Sequence, residues 1–100
     1  MTVRARVSLR TPGLKQPLPL PTRSLLAWIG TGEDGRPQLL GVEIDSLEVV
    51  TLRPQETEIV AVAEFWYEDA GRYVRPAAEY RLWYGGDIGS ITILELLQKG

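Results

Sequence analysis

The sequence predicts an all-β protein, a small antiparallel barrel of six or seven strands that is closed or nearly closed. Three observations predict it. Residues Glu79 to Leu97 read as a closing hairpin that turns at Gly85-Gly86-Asp87. Thr2 to Arg10 alternates cleanly, with Val3, Ala5, Val7 and Leu9 on one face and Arg4, Arg6, Ser8 and Arg10 on the other. Such period-two alternation marks a half-buried strand. Between these ends lie further short apolar runs separated by turn signals, the pattern of a barrel or sandwich.

The elements follow in order. After the first strand, Thr11 to Thr22 holds four prolines and a glycine. Pro17, Pro19 and Pro21 remove donors and fix φ, so the segment is expected to run extended and unladdered, with Leu18 and Leu20 against the body. Ser24 to Ile29 reads as a second strand around Leu25, Leu26 and Trp28. The run Gly30 to Pro37 is rich in residues that tolerate special backbone angles and reads as a turn. Leu39 to Val50 reads as a third strand with a bend at Asp45-Ser46. Arg53 to Glu56 is a turn, and Thr57 to Tyr67 is the longest strand candidate, apolar on both faces at its centre. Glu68 to Arg72 reads as a loop. Tyr73 to Ala78 stays ambiguous, because Pro76 blocks a helix interior. In the last segment Leu94 to Gln98 is open to a helical turn, while Ile91, Thr92 and Ile93 favour a strand entering it.

A chain of 100 residues is one domain, 1–100. A domain of this size buries roughly 65% of the surface its unfolded chain exposes, enough for one core without staples. There is no cysteine and no histidine. That removes disulfides, thiolate zinc sites, the thiol nucleophile, and the commonest general base and metal ligand. The expectation is a non-enzyme with no cofactor and no metal. No apolar run reaches the roughly 18 residues that span a membrane. The expectation is therefore a cytoplasmic protein without a membrane partner.

The net charge of −2 conceals an asymmetry: residues 1 to 36 carry six basic and two acidic side chains, residues 37 to 100 five basic and eleven acidic. In a closed barrel interleaved strands would average much of this out. The pI near 5.1 argues against generic nucleic-acid binding. Gly85-Gly86-Asp87 lacks the lysine and following helix of a phosphate loop, so turn geometry explains the glycines. Glu64, Glu68 and Asp69 fail the spacing of a calcium loop and read as a solvated strand end.

Seven of the eight aromatic residues fall in the last 40 positions, with Arg72, Arg75 and Arg81 among them. Aromatic rings with arginine anchor protein interfaces or stack bases. The plainer reading is core rings and cross-strand pairs. Period two divides them: Tyr80, Leu82 and Tyr84 share the inner face, while Arg81 and Trp83 look outward. Trp66, flanked on its parity by Glu64 and Glu68, looks outward too. Two exposed tryptophans on neighbouring strands would form a partner patch.

The second half of the chain resembles the third domain of elongation factor Tu, a small antiparallel β-barrel of a translation factor. Leu52-Arg53-Pro54-Gln55-Glu56 precedes the strand Thr57 to Phe65. Tyr80-Arg81-Leu82-Trp83-Tyr84-Gly85-Gly86-Asp87 occupies the place of that family's closing hairpin, followed by Gly89 and Ile91-Thr92-Ile93. Arg4-Ala5-Arg6-Val7 looks like the family's first strand. The likeness touches roughly 60% of the chain, by pattern more than identity. It implies a stand-alone barrel tied to translation and transfer RNA. Asp87 stands where the family has an arginine after its glycines, and phosphate binding wants positive charge there. No nucleotide motif is present.

The expected function is a non-catalytic binding module acting through protein–protein contact, with Trp66, Arg72, Arg81 and Trp83 as candidate partner-binding residues. The alternative is an RNA or transfer-RNA binder using Arg4, Arg6, Arg10 and Arg23 on an N-terminal basic face; the acidic pI and Asp87 count against it. A carboxylate enzyme built on Glu64 and Asp69 is the remaining reading.

Overall fold

The computed structural model describes residues 3–31, 33–46, 48–66 and 73–99. Among the described residues are eight strands: β1 (Val3–Arg10), β2 (Leu18–Pro19), β3 (Thr22–Thr31), β4 (Pro37–Asp45), β5 (Thr51–Leu52), β6 (Ile59–Phe65), β7 (Glu79–Trp83) and β8 (Asp87–Lys99). Six of them close an antiparallel barrel in the order β1-β6-β4-β3-β7-β8, and β2 pairs with β5 outside it. β1 thus sits between two strands from the other half of the chain, so the basic and acidic halves interleave.

The barrel closes because every strand supplies an inward apolar row. β1 gives Val3, Ala5, Val7 and Leu9; β3 gives Leu25 and Ala27; β4 gives Leu40, Val42 and Ile44; β6 gives Ala61, Ala63 and Phe65; β7 and β8 give Leu82, Ile91 and Ile93. Small residues face one another where large ones need room: Ala5 lies opposite Ala63, and Val7 opposite Ala61. That alternation lets a narrow barrel fill with side chains instead of enclosing a channel. Gly89 is required by a close approach of strands, since a Cβ there would collide with the Arg10 carbonyl oxygen.

The segments leaving the Arg10 end are tied back by hydrogen bonds. Thr11 and Gln55 exchange backbone bonds of 3.1 and 3.2 Å, and the Gly13 N–H donates to the Ile88 carbonyl at 2.8 Å. Leu14, Leu52 and Ile88 are buried there.

Several expectations need correction. The proline segment is laddered: Leu18 and Pro19 pair with Leu52 and Thr51, and the Leu20 N–H donates to the Val50 carbonyl. The ladder is possible because the residues between prolines keep their N–H groups. Leu18 and Leu20 do pack on the core. The third strand ends at Asp45, where the carboxylate accepts the Ser46 N–H and the chain leaves the sheet. Tyr73 to Ala78, left open by the sequence, forms turns. Leu94 to Gln98 continues β8 and is not helical. Tyr84 was expected on the inner face but lies in the β7–β8 turn and is exposed. Tyr67, Glu68, Asp69 and Arg72 lie outside the described residues, so the calcium-loop, carboxylate-pair and Arg72 expectations fall there.

Candidate partner-binding face

The register assembles one outer row across β6, β4, β3, β7 and β8. Leu26 on β3 lies opposite Gly41 on one side and opposite Trp83 on the other. Val42 lies opposite Phe65, so the next step of the same register brings Trp66 beside Gly41. Asp87 lies opposite Trp83. The row therefore runs Trp66, Gly41, Leu26, Trp83, Asp87. Strands sit about 4.8 Å apart, which separates Trp66 from Trp83 by about 14 Å along the sheet. Gly41 presents no side chain, and nothing lies within 4 Å of where its Cβ would be. The result is a notch between Trp66 and Leu26.

Each large side chain on this face is held. Trp28 meets Trp83 edge to face, with centroids 6.1 Å apart and planes at 76°. Its indole N–H donates to the Gly30 carbonyl at 2.7 Å. The Trp66 indole N–H donates to Glu64 Oε1 at 3.2 Å. The Arg23 guanidinium lies 4.9 Å over the Trp66 ring and donates through Nε to Glu43 Oε2 at 2.7 Å. Arg81 grips Asp87 with three contacts of 2.6 to 3.2 Å. That hydrogen-bonded guanidinium holds the Asp87 carboxyl below its usual range, and the Gly89 N–H adds to the effect. Pinned aromatic and arginine side chains lose little freedom when a partner docks.

The structure brings Trp66, Arg81 and Trp83 to one face, but not as neighbouring strands supply them. β6 and β7 are separated by β4 and β3. Trp66 is 39% exposed, whereas Trp83 is partly buried because Trp28 covers one side of it. Trp28 is the residue that sequence reasoning missed. Its parity with Leu26 in the run Ser24 to Ile29 was the available signal, since Leu25 and Ala27 point inward.

The arginines proposed for RNA are distributed differently. Arg4, Arg6 and Arg10 do share the outer face of β1 and are exposed. Arg6 pairs with Glu95 at 3.4 Å, Arg10 with Glu58 at 3.0 Å and Arg23 with Glu43 at 2.7 Å. Arg4 lies opposite Glu64 and lines a depression of about 250 Å³ with Glu43, Asp45 and Glu64. The strands flanking β1 thus bring a carboxylate to each of its arginines, and the row is not a continuous basic face. Among the described residues, no group of three or more acidic side chains is placed to hold a metal ion.

The turn at Gly85-Gly86 is a strand connection. Gly85 has φ +69°, a conformation glycine adopts without strain, and the Tyr84 N–H donates to the Gly86 carbonyl at 2.8 Å. Near the other end of β7 Tyr80 is half-buried, with its hydroxyl donating to the Tyr73 carbonyl at 2.7 Å. Burial pushes that phenol above its ordinary value, against a smaller opposing effect of Arg75.

No family model matches this chain, and neither a curated protein nor a solved structure matches it. The likeness to elongation factor Tu therefore rests on the residue pattern. No described helix is long and apolar enough to cross a membrane.

Proposed function

We propose that this barrel is a non-catalytic binding module that acts through protein–protein contact. Its partner docks on the face formed by Trp66, Trp28, Trp83, Leu26 and Arg81. The observation that carries the reading is the shared outer face: Trp66 borders the notch at Gly41, and Trp28 and Trp83 pack together beyond Leu26 on its other side. Tryptophan and arginine dominate binding energy at protein interfaces because they offer large rigid area with a polar tip. The rim of Arg23–Glu43 and Arg81–Asp87 pairs matches the polar border that such interfaces carry.

Association with RNA, as the resemblance to a translation-factor barrel implies, is the second reading. It draws on the row Arg4, Arg6 and Arg10, and the carboxylates beside them weaken it.

A comparative pull-down from native extract separates the two. Under the first reading, the wild-type chain retains a protein in the presence of ribonuclease and of raised salt. Trp66→Ala and Trp83→Ala lose it, and Arg4→Gln with Arg6→Gln do not. Retention that disappears with ribonuclease and survives both tryptophan substitutions would reverse the order of the readings.

A further inference from the structure

β8 is 13 residues long, yet β7 pairs only with its first part, Asp87 to Thr92. Two more backbone bonds follow: the Ile93 N–H donates to the Ala78 carbonyl and the Ala77 N–H to the Ile93 carbonyl, each 2.8 Å. Pairing then stops for a local reason. Pro76 has no N–H to offer. Ala77 has φ +69°, and the Ala78 N–H donates to the Arg75 carbonyl, so the chain turns. Among the described residues, nothing pairs with this side of β8 beyond Ile93. Its other side stays on β1 as far as Lys99.

The open stretch is apolar. Leu94, Leu96 and Leu97 are 39%, 42% and 48% exposed. Two of them are there because of bulges. Val7 pairs with Ile93 and Arg6 with Glu95, which leaves Leu94 extra; Ala5 pairs with Leu96 and Arg4 with Gln98, which leaves Leu97 extra. A bulge re-aims its inserted residue and commonly blunts an edge. Here both inserted residues are leucines, so the edge is decorated with apolar groups instead of charges.

We infer that this edge is a homodimer interface, in which β8 of two copies pairs antiparallel across a two-fold axis near Leu96 and Leu97. An open row of backbone donors and acceptors selects an extended strand as its occupant. The side chains select a second copy. About that axis Leu96 of each copy lies across from Leu97 of the other, while Leu94 lies across from Lys99. Glu95, the acidic residue of the stretch, is already paired with Arg6, so two copies meet without two bare carboxylates. A two-fold pairing uses both open edges and closes the assembly. The interface is separate from the tryptophan face and does not rest on the function proposed for it.

Sedimentation equilibrium of the wild-type chain across about a hundredfold concentration range reads the assembly directly. The expected result is a monomer–dimer equilibrium. Leu94→Lys with Leu97→Lys raises the dissociation constant by about a hundredfold, because the axis makes each change count twice. Amide hydrogen exchange on the unmodified protein provides a second reading: protection of Leu94 to Leu97 rises with concentration while the rest of the barrel does not change. A monomer at every concentration overturns the inference. So does a dimer indifferent to the lysine variant, or edge protection that appears only when an unrelated extended peptide is added.

Discussion

Two glycines in the barrel strands should respond oppositely to the same substitution. At Gly89 a Cβ would meet the Arg10 carbonyl oxygen, the Arg10 carbonyl carbon at 2.8 Å and the Thr11 Cα at 3.0 Å. All are backbone atoms, held by the pairing of Arg10 with Ser90 and by the Thr11–Gln55 bonds. None can swing aside as a side chain would, so the β1–β8 ladder must open locally. Overpacking costs about 1–3 kcal/mol, and each displaced ladder bond adds about 1 kcal/mol. Gly89→Ala is therefore expected to cost about 3 kcal/mol or more, against a total of about 5–15 kcal/mol for a domain of this kind. In a 100-residue domain that lowers Tm by about 15 °C. At Gly41 nothing lies within 4 Å of a Cβ and φ is outside the left-handed region. Gly41→Ala restricts the unfolded chain and should stabilise by about 0.4–1 kcal/mol. Urea unfolding of both variants, with equal m-values, is the assay. A Gly89→Ala protein within about 1 kcal/mol of wild type would refute the close approach of β1 and β8 that closes the barrel.

Trp66→Ala removes a half-exposed ring and an Arg23 contact worth about 0.5–1 kcal/mol; calorimetry should show a small Tm change while partner capture is lost. Asp87→Asn breaks the Arg81 fork, a pair exposed enough to be worth about 0.2–1 kcal/mol. Because the folded Asp87 pKa is lowered, that contribution is present above the ordinary value of 3.8 and disappears as pH falls through the lower folded value. Stabilities of variant and wild type measured by denaturation at stepped pH should converge below that window. Tyr80→Phe leaves the Tyr73 carbonyl without its phenol donor and should cost about 1 kcal/mol. In wild type, ultraviolet difference titration should place one tyrosine above 10.0, the raised phenol that this variant removes.

What the sequence made legible was set by period two. Alternation in Thr2 to Arg10 gave β1 its inner and outer faces residue by residue, and the same parity placed Arg81 and Trp83 outward. Closure into a barrel also followed from the number of strands and the hairpin that ends the chain. Register did not follow, because it depends on pairs distant in sequence: nothing local says that Gly41 stands between Trp66 and Leu26. Trp28 escaped attention because its run is short and apolar on both parities, Leu25 and Ala27 inward and Leu26 and Trp28 outward. The carboxylates beside Arg6 and Arg10 come from β8 and from Glu58 just before β6, so a basic stripe in the linear sequence became a row of ion pairs in the barrel.

β1 precedes both of its neighbours in the chain, and its ladder partners begin only at Ile59 and Ser90. During synthesis it waits as an unpaired strand carrying Val3, Ala5, Val7 and Leu9, the composition that draws unwanted strand pairing. Arg4, Arg6 and Arg10 punctuate that run and act as gatekeepers while it waits. Replacing Arg4 and Arg6 with threonine keeps strand propensity, so the expected loss is in soluble yield during expression more than in the stability of the finished barrel. The arginines that first suggested a nucleic acid thus protect the chain from itself before the barrel has closed.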